Sequence, residues 1–320
     1  MGVRAQRGRP AGGFTLIEIA VVIVVLALLL AMLAGLATAM IGQQRREVTR
    51  QKLAGVETAL ALFVSQNRRL PCPADGRMAS DNANAGAERG GGTAAPCQVV
   101  VGTLNSQTHG VVPWRTLGLA ESDVTDGWGN RMTYRAAPDL TQDNAMDLTA
   151  CDPGGSFDLT GTPNGRCNRS GMTDPANDCN KDTFPGRCTP PQSYTANKGL
   201  RVRSLNATVT LTMDYAAAPS TGAAYVVISH GENGGSAYNN QGILQAGSPA
   251  SGTLEANNNG ADVAFVHAAS NTFATAGGGS GAFVDDFPAY ADGNGHFDDF
   301  VLRPSILTVA TKAQLGPRSH

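Results

Sequence analysis

The sequence predicts an α+β protein in which one long amino-terminal helix is followed by a β-rich head. Three observations lead to this prediction. A run of 24 residues from Ile19 to Gly42 carries no formal charge. An amphipathic segment without proline continues this run to Arg69. Beyond it, short alternating or apolar segments are separated by Gly, Pro, Asn and Asp, which is typical of strands joined by turns.

The composition allows a sizeable core and argues against a basic nucleic-acid-binding surface. The 320 residues leave room for one large or two small domains. Charged residues make up 16% of the chain, against about 25% in a typical globular protein, and the formal net charge is −2. With 39 glycines and 17 prolines, the chain is expected to be a loop-rich extracytoplasmic protein that does not bind nucleic acid.

The uncharged run predicts a transmembrane helix. At 1.5 Å per residue it forms a helix of about 36 Å, enough to cross a bilayer core of about 30 Å. Glu18 directly precedes the run. A carboxylate at the start of such a helix costs about 1 to 3 kcal/mol on insertion, so a partner charge is expected for Glu18.

Residues 13–18, Gly-Phe-Thr-Leu-Ile-Glu behind a short basic leader, resemble the class III signal of type IV prepilins and type II secretion pseudopilins. The resemblance implies that a prepilin peptidase removes residues 1–13 by cutting after Gly13 and then methylates Phe14. It also implies that the Phe14 ammonium of one subunit meets Glu18 of a neighbour and sets the register of a filament. The two charges lie four residues apart and therefore on one helical face.

Two other interpretations of the amino terminus remain open. A basic start at Arg4, Arg7 and Arg9 before an apolar run also begins an ordinary secretory signal, with Ala37-Thr38-Ala39 as a small-residue cleavage site. The apolar region of such a signal spans about 7 to 15 residues and carries no glutamate. A plain uncut membrane anchor would leave Glu18 unexplained.

The resemblance orients the chain and divides it. Four basic residues between positions 45 and 52 nearly balance the leader, so charge alone does not fix the orientation. Prepilin leaders stay cytoplasmic, which implies one pass through a bacterial inner membrane. We expect a transmembrane half of the helix at residues 14–42, an amphipathic half at residues 43–70 and a periplasmic pilin-like head at residues 71–320.

The amphipathic half is expected to pack on an antiparallel sheet. Its apolar residues recur at spacings of three and four. They are Leu53, Val56, Leu60 and Phe63. Pro71 and Pro73 are predicted to stop the helix, because proline supplies no amide hydrogen.

Short strands are predicted along the head. Residues 131–136 alternate polar and apolar side chains, which is typical of a half-buried strand. Residues 208–215 also alternate, while residues 225–229 form an apolar run and a further strand is expected at 300–302. The preceding Asp-Gly-Trp-Gly-Asn run at 126–130 resembles the Asp-Pro-Trp-Gly-Asn segment of major pseudopilins, with glycine in place of the proline.

Residues 139–198 look like an insertion relative to a small pilin head. The block has too few large apolar residues to form a core unaided, so disulfides formed in an oxidising periplasm would supply the constraint. Six cysteines allow fifteen connectivities, and the sequence does not choose among them. The working hypothesis pairs neighbours: Cys72 with Cys97, Cys151 with Cys167, and Cys179 with Cys188. The block lacks histidine and Cys-x-x-Cys spacing, which disfavours zinc there.

An acidic segment near the carboxyl terminus is the candidate ion site in the sequence. Asp292, Asn294 and Asp298 could offer oxygens to one calcium ion, although their spacing is not that of an EF-hand. The alternative is a solvated turn before the last strand. No other cofactor is expected.

No catalytic constellation stands out, so the protein is not expected to be an enzyme. The glycine run at 277–281 lacks the ending of a P-loop, and no Gly-x-Ser-x-Gly elbow occurs. By resemblance, the function is that of a structural subunit of a type IV pilus or type II secretion pseudopilus. A head of more than 250 residues favours a minor subunit.

The expected partners are other pilin or pseudopilin subunits, the prepilin peptidase and the inner-membrane assembly platform. Two alternatives remain: an adhesive subunit at a filament tip, in which the insertion at 139–198 binds the target, and a membrane-tethered periplasmic enzyme.

Overall fold

The structure is a computed structural model of the chain, and it describes part of the sequence. The described residues are 16–89, 97, 109–137, 140–143, 145–146, 198–204, 211–214, 217, 221–235, 237–245, 255, 258, 283–285, 288 and 296–315. The side chains of residues 33–39, 109 and 211 lie outside this description. The chain divides into two compact units, Met1–Arg45 and Arg46–His320.

Helix α1 spans Leu16–Asn67, 52 residues. The large apolar side chains of its first turns are exposed, from 88% for Leu16 to 49% for Val25. Across the residues that the structure describes, no helix is long and apolar enough to cross a membrane. The transmembrane half predicted at residues 14–42 is therefore not confirmed.

The helix ends before the prolines that were predicted to stop it. Arg68 adopts a left-handed backbone conformation with φ of 55°. Its N–H donates to the carbonyl of Val64 at 2.7 Å, which satisfies one of the last carbonyls of the helix. The backbone has therefore already turned at Arg68, three residues before Pro71.

The apolar stripe of α1 in the second unit is buried, as predicted. Its four residues are at most 8% exposed: Leu53, Val56, Leu60 and Phe63. Leu53, Val56 and Leu60 belong to one hydrophobic core with Tyr134 and Tyr225. Burial of side chains of this kind stabilises the fold by about 1.5 to 3 kcal/mol each.

Seven strands are described, numbered here in chain order. They are β1 His109–Val111, β2 Thr133–Ala136, β3 Val202–Arg203, β4 Leu211–Met213, β5 Tyr225–Ser229, β6 Phe283–Val284 and β7 Phe300–Leu302. A 3₁₀ helix spans Glu121–Val124, and a second α-helix, α2, spans Ile306–Lys312. The predicted strands at 225–229 and 300–302 are confirmed, whereas the one at 208–215 is described only at β4.

The strands form two sheets. The first has the order β1-β2-β5-β7 and is antiparallel throughout. The second has the order β4-β3-β6, and there β3 pairs with β6 in parallel. The prediction of an antiparallel head is correct for the first sheet but wrong for the β3–β6 pair, because that pairing joins segments about 80 residues apart that no local turn relates.

Strand β2 is buried on both faces, which corrects the prediction of a half-buried strand. Its apolar residues face the core, but Thr133 and Arg135, together with Arg131 just before the strand, are also at most 3% exposed. The alternation of polar and apolar residues is real. Its polar face is covered by protein instead of water, because loops from distant parts of the chain lie over it.

Arg131 holds these loops together. Its guanidinium donates to a carboxylate, a hydroxyl and three backbone carbonyls. The acceptors are Glu121 Oε1 at 2.7 Å, Met78 O at 2.6 Å, Gly76 O at 3.1 Å, Asn240 O at 3.1 Å and Ser80 Oγ at 3.2 Å. The guanidinium carbon also lies 4.9 Å from the centre of the Trp114 ring. One buried side chain thus ties the loop at 76–80, the 3₁₀ helix and the 240 turn to the sheet.

The side chain of Asp126 stabilises the predicted turn at residues 126–130 by hydrogen bonds. Asp126 Oδ1 accepts the N–H groups of Trp128 and Asn130, both at 2.9 Å. Its other oxygen accepts the hydroxyl of Ser229 at 2.8 Å. Burial raises the pKa of Asp126 while these donors lower it. The carboxylate therefore joins the turn to the end of β5.

A disulfide joins Cys72 and Cys97, the first of the three neighbouring pairs predicted. Their Cα atoms are 5.8 Å apart and the bond closes a sequence separation of 25. Both residues are buried. The other four cysteines, and most of the predicted insertion at 139–198, lie outside the described residues.

We expect Arg131→Met to destabilise the second unit by about 3 to 5 kcal/mol, because it removes the charged partner of the Glu121 carboxylate and a donor from the carbonyls of Gly76 and Met78. The matched control is Arg201→Met, since Arg201 pairs with Asp214 at 2.9 Å but both side chains are about one quarter exposed. Such a pair contributes about 0 to 1 kcal/mol. The measurement is urea unfolding of the full chain in mild detergent, followed by fluorescence of Trp114 and Trp128. Equal losses for the two variants would contradict this role of Arg131.

The double variant Cys72→Ala/Cys97→Ala should lose about 2 to 4 kcal/mol of unfolding free energy, because the open chain regains the entropy that a loop of this length gives up. Under reductant the wild type and the variant should be equally stable, because neither then has the Cys72–Cys97 bond. Urea unfolding with and without reductant measures both effects. A double variant as stable as the oxidised wild type would show that the bond does not constrain the head.

Candidate functional site

The predicted processing site lies at the edge of the described chain. Gly13 and Phe14 fall outside the described residues, and Glu18 lies in the exposed first turn of α1. The pairing of a Phe14 ammonium with Glu18 of a neighbouring subunit stays a prediction.

A cluster of buried polar side chains lies in the second unit, where the turn after β5 meets the segment that leads into β7. Glu255, Asp298 and Asp299 are 6%, 2% and 4% exposed, and His230 is 2% exposed. Burying a carboxylate is costly unless hydrogen bonds or opposite charge compensate it. The arrangement of donors around these groups therefore shows what the cluster can hold.

Asp298 is fixed by the turn that follows β5. Its Oδ2 accepts the backbone N–H groups of Glu232 at 2.7 Å and Asn233 at 3.1 Å. Gly231, with φ of 58°, allows this close approach, since a Cβ there would lie 2.7 Å from Asp298 Oδ1. The turn and the carboxylate are thus fitted to each other.

Glu255 is held by the turn after β5 and by the segment that leads into β7. Its Oε1 accepts the backbone N–H of Asp298 at 3.1 Å, and its Oε2 accepts Nδ2 of Asn233 at 2.8 Å. The hydrogen bonds place its carboxylate beside that of Asp298. Two carboxyl groups are therefore buried next to each other.

His296 closes the group at its solvent side. Its Nε2 lies 3.8 Å from Glu255 Oε1 and 3.7 Å from Asp298 Oδ2, and its side chain is 33% exposed. One potential ligand atom from each of the three residues lies within 4.8 Å of the others. The set is one nitrogen and two carboxylate oxygens.

Asp299 points to a second set of partners and connects the two sheets. Its Oδ2 accepts Nδ2 of Asn258 at 2.8 Å, and Asn258 also exchanges two hydrogen bonds with the backbone of Val284 in β6. Its Oδ1 lies 3.7 Å from Nδ1 of His230, whose Nε2 is 2.8 Å from Thr133 Oγ1 in β2. Asp299 is therefore a structural link.

The crowding of carboxylates changes the acidity of Glu255. Burial raises its pKa to about 7, and the nearby charge of Asp299 and a side-chain hydrogen bond with Asp298 add to the effect. The hydrogen bond from Asn233 acts in the opposite direction. Such a group favours either a bound proton or a bound cation beside it.

The calcium set predicted from the sequence is described only in part. Asp292 and Asn294 lie outside the described residues, and Asp298 lies in the buried cluster. Calcium binding by these three residues stays a prediction.

Sequence reasoning missed Glu255, which is 41 residues from His296, because no local spacing connects the two.

Comparison with known proteins bears on the amino terminus alone. No curated protein and no solved structure shows significant similarity to the chain. Residues 8–34 match the prokaryotic N-terminal methylation motif. The match contains the Gly13, Phe14 and Glu18 positions singled out above. The chain carries the type IV prepilin and pseudopilin signal, as its sequence predicted.

Proposed function

We propose that this protein is a structural subunit of a type IV pilus or type II secretion pseudopilus, processed by prepilin peptidase after Gly13 and N-methylated on Phe14. The observation that carries the proposal is the methylation motif at residues 8–34. The signal belongs to a class of proteins that work by assembly, which supports a structural role over an enzymatic one.

The surface of α1 in the first unit supports assembly with an apolar partner. Its large apolar side chains from Leu16 to Leu30 are about half exposed or more, and Glu18 is the one polar residue among residues 16–30. A soluble protein rarely leaves so much contiguous apolar surface in water. In the proposal, inner-membrane lipid covers this surface before assembly and the helices of other subunits cover it afterwards.

Glu18 gives the assembly its register. Cleavage after Gly13 creates an ammonium on Phe14, four residues from the Glu18 carboxylate. Inside one helix the two groups lie on one face, and between subunits they can pair across a helix contact. In an apolar bundle a charge pair has few acceptable positions, because any offset leaves a charge buried without a partner.

The head supports an oxidising location and a minor role. The buried Cys72–Cys97 disulfide is the kind of bond that persists in the periplasm and not in the cytosol. The second unit spans Arg46–His320, which is large for a subunit repeated along a whole filament. Its partners in the proposal are smaller major subunits and the inner-membrane assembly platform.

We expect the mature chain to begin at Phe14 with one added methyl group when it is produced together with a prepilin peptidase. Gly13→Leu should abolish cleavage, because the peptidase accepts a small residue there. Gly12→Leu is the matched control, one position earlier, and should still be cut. Intact mass of the membrane-extracted chain decides among these outcomes. A mature chain that begins at Met40 would indicate an ordinary secretory signal and refute the proposal.

Glu18→Leu should enter the membrane at least as well as the wild type, since a costly carboxylate has gone. Its recovery in sheared filaments should fall by about tenfold or more, because an unpaired buried ammonium costs several kcal/mol. Cleavage after Gly13 should persist, since it precedes assembly.

Glu47→Leu is the control, because it removes a carboxylate of the same helix beyond the apolar run. Membrane and sheared-filament fractions are compared by immunoblot, with the mature mass checked in each. Equal filament recovery for Glu18→Leu and the wild type would rule out the charge-pair mechanism.

A further inference from the structure

We propose that Glu255, His296 and Asp298 form a binding site for a transition-metal ion of the zinc type. The site lies in the head and does not depend on the proposed filament role. Its ligands would be Nε2 of His296 and one carboxylate oxygen from each acidic residue.

The distances fit such an ion after a small contraction. Zinc holds nitrogen and oxygen ligands at about 2.0 to 2.1 Å in a tetrahedron, so two ligand atoms lie about 3.4 Å apart. His296 Nε2 is 3.8 Å from Glu255 Oε1 and 3.7 Å from Asp298 Oδ2. Shifts of about 0.4 Å would bring His296 to this spacing from each carboxylate, and the three ligand atoms all lie within 4.8 Å of one another. The 33% exposed imidazole marks the side from which an ion can enter.

A buried oxygen without a hydrogen-bond donor is the second observation. Among the described residues, Asp298 Oδ1 has no hydrogen-bond partner, although the side chain is only 3% exposed. Buried carboxylate oxygens normally accept hydrogen bonds, and leaving one without a donor is costly. This oxygen belongs to the carboxylate whose other oxygen, Oδ2, lies 3.7 Å from His296 Nε2. A cation bound by that carboxylate would compensate its charge.

The hydrogen bonds at the site compensate the charge only in part. The donors to Glu255 and Asp298 are backbone N–H groups and the amide of Asn233, all of them neutral. Neutral donors stabilise a carboxylate, but two adjacent buried carboxylates still repel each other. A divalent ion would offset that repulsion with two positive charges.

The nitrogen ligand selects the class of metal. Calcium and magnesium prefer sites built from oxygen, whereas imidazole combined with carboxylate suits zinc and its neighbours in the first transition series. The donors behind the ligands are already in place, since Asn233 orients Glu255 and the turn after β5 orients Asp298. The bound ion would join Glu255 to the segment at 296–298, about 40 residues further along the chain.

The test uses the untagged full chain in mild detergent, stripped with EDTA and dialysed. Zinc chloride alone is titrated, and bound zinc is measured by elemental mass spectrometry together with the melting temperature. We expect about one zinc per chain and a rise in melting temperature by mass action. Cobalt chloride should give the visible absorption of a coordinated ion that zinc then displaces.

Two ligand variants and one charge control sharpen the test. His296→Ala removes the nitrogen at a partly exposed position that tolerates truncation, and Glu255→Gln keeps the size of a buried ligand. Each should weaken zinc binding by about tenfold or more. Asp299→Asn removes a charge from the same cluster without removing a ligand, so it should bind zinc within a few-fold of the wild type.

The opposite results overturn the proposal. Absence of zinc binding to the wild type would refute the metal site. Equal affinity of His296→Ala and the wild type would exclude the histidine as a ligand. Calcium that binds at millimolar concentration, displaces zinc and is lost in Asp292→Asn would assign the region to the oxygen-only set predicted from the sequence.

Discussion

The buried guanidinium of Arg131 is the interaction on which the head depends most. A full positive charge at a position without exposure is tolerated only because one carboxylate, one hydroxyl and three carbonyls surround it. The planar fork of arginine suits such a task, because its N–H groups point in fixed directions. Loops that share no sequence neighbourhood are thereby drawn onto one face of β2, and that face is closed to water.

Buried negative charges at the carboxyl end of β5 also need partners, as the buried positive charge of Arg131 does. There Asp126, Asp298 and Asp299 are buried, and each is matched by donors from a turn or a neighbouring sheet. Asp126 joins its turn to Ser229, while Asp299 reaches through Asn258 to β6. The pair of Glu255 and Asp298 differs from the other two, because no donor among the described residues reaches the buried Oδ1 of Asp298. The zinc proposal rests on this difference.

Information about assembly and information about the head are separate along this chain. The methylation motif occupies residues 8–34, and the proposed processing and assembly depend on it. The disulfide, the two sheets and the polar cluster of the head all lie outside the residues that the motif covers. In the proposed filament the helix provides the common assembly device, and the head provides whatever distinguishes this subunit from its partners.

The sequence by itself determined the features that depend on near neighbours along the chain. The signal at residues 13–18, the long α1, the stripe from Leu53 to Phe63 and the strand at 225–229 all follow from local spacing and side-chain type. Tertiary structure alone decided the parallel β3–β6 pair, the burial of Arg131 and the meeting of Glu255 with His296. The physical reason is that alternation shows which residues share a face, but only long-range packing determines whether water or protein covers that face.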